Sequence, residues 1–364
     1  GVEYNFWYFF LWSLVFYLGL TIFSVPYVAM GYEMSDDFHE RTNIMAISQW
    51  IGQWAWVIAP LFWIIMYDPS WFPSADVAVR ELAIWVAIPG AICAIVPAIF
   101  IKSKSTLEED YEPLNSVNIG SSLIKIYQSF GEAFKIKDFR KLCGATFLIF
   151  NAFNTVAALT FFVIVYKLFN GDAEASGIWV SMFGCLGALG TTFIVIPSVA
   201  WMSKKFGKKK AFMLSQSISL VGYVMLYFLF IPGKPWMYII ALPFFSFGIG
   251  SLFTIMMSMT ADICDLDELE TGERREGTFG AIYWWMVKLG AAFAGGAAGL
   301  ILSFIGFDQS VAVQSEDTLE LLRLAYIVIP CVGTLIAIFV MRNYDLDEAR
   351  ALEIREQLEA RKSA

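Results

Sequence analysis

Long runs without charge alternate with short charged segments along almost the whole chain. A membrane core of roughly 30 Å needs about 20 apolar residues in one helix, and each run reaches or approaches that length. Because lipid offers no water to satisfy backbone N–H and C=O groups, every run is predicted to be a helix. The nine predicted spans are 4–32, 42–67, 82–101, 142–166, 175–203, 211–233, 235–261, 277–307 and 324–341. This pattern predicts an all-α polytopic membrane protein.

Composition agrees with a membrane location. Hydrophobic residues make up 58% and charged residues 16% of the 364, whereas soluble domains have about half and a quarter. One histidine and five scattered cysteines without a CxxC spacing argue against a metal site or a disulfide framework. The sequence contains no Walker, HExxH or GxSxG motif. We therefore expect neither an enzyme nor an ATP-driven pump, with no cofactor and no nucleic-acid partner.

The basic residues indicate which helix ends face the cytoplasm. Twenty of the 25 Lys and Arg fall in loops that would share one side of the membrane. Those loops are 33–41, 102–141, 204–210, 262–276 and the tail from Arg342. The excess predicts a cytoplasmic location for them, with the N-terminus outside, most simply in a plasma (inner) membrane. Because no methionine opens the chain, we expect it to be a fragment.

The longest predicted loop separates three helices from six. The predicted domains are 1–102 (remainder of an N-terminal bundle), 103–141 (linker), 142–342 (C-terminal six-helix bundle) and 343–364 (cytoplasmic tail). Four apolar linker residues recur at helical spacing between lysines: Leu123, Tyr127, Phe130 and Phe134. This spacing predicts an amphipathic helix in the cytoplasmic membrane interface. A merely solvated helix is the alternative.

Lys288 is the strongest single candidate for a functional residue. It lies 11 residues into the run that starts at Gly277, which places it roughly 16 Å deep at about 1.5 Å per residue. A lysine near the middle of a membrane costs about 2.5–3.5 kcal/mol on insertion scales. We therefore expect it to face a watery cavity or the protein interior, beside a partner. A structural ion pair between helices is the alternative.

A dense charge cluster follows the seventh predicted span. Asp262 and Asp265 are three residues apart, so both carboxylates share one helix face at its predicted cytoplasmic end. The helix dipole disfavours carboxylates there, and Arg274 and Arg275 across the turn are their predicted partners. We interpret the cluster as a cytoplasmic gate, with an ordinary charged loop as the alternative.

A second charge cluster follows the first span, after Pro26, which is predicted to kink that helix. The members of this cluster are Glu33, Asp36, Asp37, Glu40 and Arg41. Charge clusters in both halves of the chain are what two rocking bundles need to close a gate. We therefore predict that Glu33, Asp36 and Arg41 act together with the cluster after the seventh span.

Milder polar groups and aromatic rings mark a candidate cavity. The pairs Gln49 and Gln53, and Asn151 and Asn154, are spaced so that each pair occupies one helix face. Aromatic rings suit the apolar faces of sugars, and the candidates are Tyr27, Trp50, Phe253, Tyr283 and Trp284. For any one of these residues, helix packing is the more frequent role. Together they predict a polar and aromatic cavity.

Three segments carry a family resemblance. They read VPYVAMGYEMSDDFHERT at 25–42, SKKFGKKKA at 203–211 and ADICDLDELETGERREGTFGAIYWWMVKLG at 261–290. The chain resembles, over essentially its whole length, the glycoside–pentoside–hexuronide:cation symporter family of the major facilitator superfamily. This resemblance implies twelve helices in two bundles of six, of which the chain would hold the fourth to the twelfth. It also implies that the first three helices are missing.

The resemblance implies roles for single residues. Lys288 matches the family's lysine near the substrate and cation sites. Asp262 and Asp265 match its cytoplasmic acidic pair. Phe253 matches an aromatic position of the cavity.

Two departures from the family pattern narrow the predicted function. Ser24 stands where some members have a sugar-binding aspartate, and Gln49 where they have an arginine that contacts sugar, which argues against a galactoside substrate and that mode of sodium coupling. We predict a monomeric secondary transporter of a sugar, glycoside or uronate, coupled to H⁺ or Na⁺, working by alternating access among membrane lipids. The alternatives are a lysolipid-like substrate and a non-transporting membrane sensor or scaffold.

Overall fold

The computed structural model describes residues 2–33, 51–52, 54–100, 128, 130–272, 275–308, 311, 313–346 and 348–363. Within these residues the chain is helical, and no strand is present. Eight continuous helical stretches among the described residues are long and apolar enough to cross a membrane. Some of these stretches consist of two α-helices joined by a π-helical segment. The predicted span 42–67 is described only in part, as a shorter apolar helix over Trp54–Tyr67. The all-α polytopic prediction is therefore confirmed, whereas the count of nine stays a prediction.

Twelve helices are labelled here in chain order. They are α1 (Val2–Glu33), α2 (Phe62–Tyr67), α3 (Ala75–Phe100), α4 (Lys137–Phe162), α5 (Ala173–Gly190), α6 (Ile196–Phe206), α7 (Lys208–Leu229), α8 (Leu242–Ser251), α9 (Met257–Thr271), α10 (Glu276–Phe304), α11 (Glu316–Arg342) and α12 (Glu348–Ser363). Short 3₁₀ segments precede α2 and α8, over Ala59–Leu61 and Pro235–Ala241.

In the described parts of the chain, three π-helical segments interrupt or extend the spans. They are Val163–Leu168, Thr191–Val195 and Leu252–Met256. The second joins α5 to α6 in one span, and the third joins α8 to α9. Such segments often mark functional positions in helices, and the hydrophobic pattern contains no signal for them.

The chain forms two compact units. Unit 1 comprises residues 1–55 and 79–114, and unit 2 comprises 56–78 and 115–364. In unit 1, the described side chains of α1 are exposed except Ser24, which is half-buried. An apolar surface exposed along a whole helix is typical of a helix that meets lipid or other helices.

In unit 2, both α10 and α11 pack along α4. Glycine residues, which have no side chain, allow helices to approach each other closely in this unit. A Cβ at Gly290 would lie 2.8 Å from the carbonyl oxygen of Phe147, and a Cβ at Gly222 would clash with the backbone of Phe245. The helices therefore meet at backbone level at two seams, α4 with α10 and α7 with α8.

Helix ends in unit 2 are capped by residues of the expected kinds. Asp172 accepts a hydrogen bond from the backbone N–H of Ala175 at 2.9 Å, and Ser315 accepts one from the backbone N–H of Thr318 at 3.1 Å.

Helix α9 ends at Gly272, whose φ of 75° is left-handed. The helix therefore runs nine residues past Asp262. The prediction that Asp262 and Asp265 lie at a helix end, against the dipole, is wrong.

Two segments outside the spans pack against the long helices of unit 2. Phe130 and Phe134, predicted for the membrane interface, lie edge-on to Trp285 and Phe139 at centroid distances of 5.6 and 5.9 Å. These two rings therefore contact protein, while Leu123 and Tyr127 lie outside the described residues. The tail, predicted only as a cytoplasmic extension, forms α12 and buries Ile354 and Leu358.

Candidate functional site

A buried ion pair joins α7 to α9 at the lysine-rich end of unit 2, which is the end where α6 meets α7 and where residues 204–210 include five lysines. The Nζ of Lys208 pairs with a carboxylate oxygen of Asp262, whose side chain is 4% exposed. Lys208 also lies 3.5 Å from the carbonyl oxygen of Ser258. The loop 204–210 was predicted to lie on the cytoplasmic side, and its Lys208 pairs with an acidic residue of the predicted gate. Asp265 is half-buried one turn further along α9.

A second ion pair holds the turn between α9 and α10. Arg275 binds Asp267 in a two-pronged arrangement, with Nη2 to Oδ1 at 2.6 Å and Nε to Oδ2 at 2.9 Å. Arg275 also pairs with Glu132. The carboxylates of Asp267 and Glu132 hold the pKa of this guanidinium above its ordinary value. The sequence analysis did not name Asp267. The signal that could have identified it is its position eight residues before Arg275, on the other side of the turn between α9 and α10.

A third cluster fastens the tail to the same end of unit 2. Lys141 pairs with Asp138 at 2.8 Å and with Asp345 at 3.3 Å. The Lys141 ammonium lowers the pKa of the Asp345 carboxyl. Lys209 donates to the carbonyl oxygen of Tyr344 at 2.8 Å, and Arg361 of α12 donates to that of Leu269 at 2.8 Å. The tail thus connects α4, α7 and α9.

Lys288 lies on an exposed face of α10, together with Trp284 one turn earlier. Trp284 is 41% exposed and lies edge-on to Tyr283 at 5.9 Å. Tyr283 is buried, and its hydroxyl donates to the carbonyl oxygen of Leu252 at 3.4 Å. Within the described ranges, no hydrogen bond or ion pair reaches the Nζ of Lys288. The partner predicted for this lysine is therefore not found in the part of the chain that the structure describes.

Asn151 of α4 contacts the backbone of α10, and Phe253 packs against α4. The Nδ2 of Asn151 lies 3.4 Å from the carbonyl oxygen of Gly290, and Phe253 lies edge-on to Phe150 at 5.7 Å. Gly290 is two residues from Lys288, which is about 200° around the helix. The structure thus separates Asn151 from the lysine instead of bringing the two into one cluster.

The remaining predicted residues have other surroundings. Asn154 donates to the carbonyl oxygen of Phe150 in its own helix at 2.8 Å. In unit 1, Tyr27 is exposed and stacks on Phe23 at 5.6 Å, one turn before it in α1. Glu33 ends α1, and its side chain is not described. Eight predicted residues lie outside the described residues: Asp36, Asp37, Glu40, Arg41, Gln49, Trp50, Gln53 and Arg274.

The apolar spans and the ionic clusters at their ends define a polytopic helical membrane protein. The chain belongs to the MFS/sugar transport protein family, which it matches over residues 1–348. The resemblance to glycoside–pentoside–hexuronide symporters drawn from the motifs is thereby confirmed, as is the expectation of a transporter and not an enzyme.

Three curated relatives illustrate the similarity. The chain is 26% identical over 351 residues to a putative sulfoquinovose importer of Escherichia coli, covering 96% of this chain and 71% of the relative. It is 31% identical over 224 residues to a putative 2,3-dihydroxypropane-1-sulfonate exporter of Salmonella typhimurium, covering 61% of this chain and 46% of the relative. It is 26% identical over 222 residues to a glucuronide carrier protein homolog of Escherichia coli, covering 61% and 47%. The chain thus spans under half the length of the last two.

Proposed function

We propose that the protein is a secondary active transporter of an acidic sugar or glycoside, such as a uronate, coupled to H⁺ or Na⁺. Substrate binding involves Lys288 and the aromatic surface of Trp284. The family supplies the transport activity; the substrate class and the coupling ion are the proposed parts.

Lys288 is the observation that carries this proposal. Its side chain is exposed on an apolar span, and the described residues offer it no counter-ion. Exposure of an ammonium group to hydrocarbon costs about 2.5–3.5 kcal/mol on insertion scales. The exposed face of α10 therefore suits a water-filled cavity, where a substrate anion can neutralise the lysine.

The chemistry of the relatives points the same way. Their names include a 1-sulfonate and a glucuronide, and both compounds carry hydroxyl groups together with an acidic group. A lysine binds such a group as a point charge. A neighbouring indole ring offers a flat apolar surface to the carbon face of a sugar ring. Lys288 and Trp284, one turn apart, supply both elements.

The ion pairs of unit 2 suit a gate that opens and closes. The Lys208–Asp262 and Arg275–Asp267 pairs connect α9 to the starts of α7 and α10. Alternating access requires contacts of this kind to form in one state and to break in the other. The matching cluster around Glu33, Asp36 and Arg41 stays a prediction.

Uptake of radiolabelled sugars into proteoliposomes that contain the protein tests this proposal. The panel includes glucuronate, a sulfonated sugar and matched neutral sugars, each measured under Na⁺, H⁺ and no gradient. We expect gradient-dependent uptake of an acidic sugar. We also expect Lys288→Gln to reduce this uptake at least tenfold, whereas Lys234→Gln, which removes an exposed lysine from a loop, leaves it unchanged.

Three outcomes would contradict the proposal. Preference for neutral sugars would refute the acidic substrate class. Equal uptake by Lys288→Gln and the unaltered protein would refute the role of the lysine. Uptake that lysolipids abolish but no sugar competes with would favour an amphiphile as the substrate.

A further inference from the structure

The exposed side of the span Ala173–Phe206 changes from apolar to cationic towards the end of the span. Its exposed residues, here called the α6 stripe, are Phe193, Ile194, Pro197, Trp201, Lys204 and Lys205. Steps of four residues from Pro197 to Trp201 to Lys205 place these three on one helix face. From Phe193 to Lys205 the helix rises roughly 18 Å at about 1.5 Å per residue, slightly more than half of a membrane core. The stripe is therefore about as long as one leaflet of the membrane core is thick.

The cationic end of the α6 stripe is organised by aromatic rings. The Nζ of Lys205 lies 4.9 Å from the ring centroid of Trp201 and 5.5 Å from that of Phe206. The two rings are 6.0 Å apart and nearly perpendicular. Trp201 is 57% exposed, so the two rings form a platform that opens outward.

Lys204 and Lys205 differ from the lysines that follow them. Lys208 pairs with Asp262, and Lys209 donates to the carbonyl oxygen of Tyr344. Among the described residues, no carboxylate pairs with Lys204 or Lys205. Both side chains are exposed, so their charge is accessible to a ligand.

We propose that the α6 stripe binds an anionic glycerophospholipid. Lys204 and Lys205 bind the headgroup phosphate, Trp201 contacts the glycerol and ester region, and one acyl chain lies along Phe193 and Pro197. The order of chemistry along the stripe, apolar then aromatic then cationic, matches the order along such a lipid. Tryptophan is enriched at membrane interfaces, and lysines near the surface attract anionic lipids. This binding is independent of the proposed transport substrate.

Lipid retention tests the proposal. The chain is reconstituted in nanodiscs of phosphatidylcholine with a fifth of phosphatidylglycerol, transferred to detergent and examined by native mass spectrometry. We expect retained phosphatidylglycerol, with affinity falling roughly fivefold for each lysine removed in Lys204→Gln/Lys205→Gln. Glycerol 3-phosphate, which carries the phosphate without the acyl chains, is expected not to displace the lipid.

A charge-matched variant separates a built site from general attraction. Lys135→Gln/Arg140→Gln removes two exposed basic residues near the start of α4, and we expect it to retain the lipid as the unaltered chain does. Trp201→Ala weakens binding, whereas Trp201→Phe keeps most of it. Equal losses from both double variants, or displacement by glycerol 3-phosphate, would overturn the proposal. Melting in phosphatidylcholine alone verifies that each variant is folded.

Discussion

Residues of one type, next to each other in sequence, have different partners in this protein. Lys204 and Lys205 are exposed, whereas Lys208 and Lys209 bind groups of α9 and the tail. The sequence shows only a run of lysines interrupted by Phe206 and Gly207. Which lysines are exposed and which bind other groups depends on the turn at Gly207, where α6 ends and α7 begins. The hydrophobic pattern could not predict this difference.

The Arg275–Asp267 pair is the ion pair whose loss we expect to affect stability most. The two side chains are 13% and 2% exposed, and removal of one partner of a buried pair costs up to about 3–5 kcal/mol because the other charge stays buried. We predict that Asp267→Asn lowers the melting temperature of the detergent-solubilised protein by several degrees.

The exposed pair Arg350–Glu353 provides the control for this prediction. Its side chains are 51% and 53% exposed, and pairs of this kind contribute about 0–1 kcal/mol. Glu353→Gln is therefore expected to melt close to the unaltered protein. Equal melting of Asp267→Asn and Glu353→Gln would show that the Arg275–Asp267 pair is not a structural clamp.

At the scale of elements, run length predicts where a span lies better than where its helix ends. The run 235–261 is found in the span Pro235–Thr271, whose helix continues through several acidic residues. Asp262 and Asp267 are accommodated there because Lys208 and Arg275, distant or later in the sequence, neutralise them. Neither partner leaves a trace in the hydrophobic pattern of the run itself.

The seam between α7 and α8 supplies a test at this scale. A Cβ at Gly222 would meet the backbone of Phe245, and backbone cannot move aside as a flexible side chain can. We predict that Gly222→Ala destabilises the protein by about 1–3 kcal/mol through overpacking, measured by chemical denaturation in detergent. Gly299→Ala in α10, where a Cβ meets nothing within 4 Å, is expected to be neutral or stabilising. A neutral Gly222→Ala would refute the close seam.

Helix α12 supplies another test. Ile354 is fully buried against unit 2, and truncation of such a residue to alanine costs about 2–5 kcal/mol. We predict that Ile354→Ala releases α12 and raises amide hydrogen exchange across residues 348–363. Leu352→Ala, which alters a residue that is 54% exposed, is expected to leave exchange unchanged. Fast exchange in the unaltered protein would contradict a docked tail.

At the scale of the whole molecule, composition and span length were enough to predict an all-α membrane protein, and the motifs were enough to predict its family. Individual site residues were harder to predict. Lys288 was expected beside a partner, yet the described part of unit 2 leaves it exposed and on the other side of α10 from Gly290 and Asn151. Span length places a residue by depth but not by direction around its helix. Direction depends on which neighbouring helices pack against each face.

Gly207 closely connects two different contacts, that of Lys205 with the Trp201 ring and that of Lys208 with Asp262. With a φ of 79° it turns the chain in a single residue, so Lys205 and Lys208 lie at most roughly 10 Å apart along the backbone. If Lys205 binds a lipid as proposed, a displacement of α7 that separates Lys208 from Asp262 would also move the rings of Trp201 and Phe206 beside Lys205. The rate of the proposed opening at this end would then depend on which lipids surround the protein.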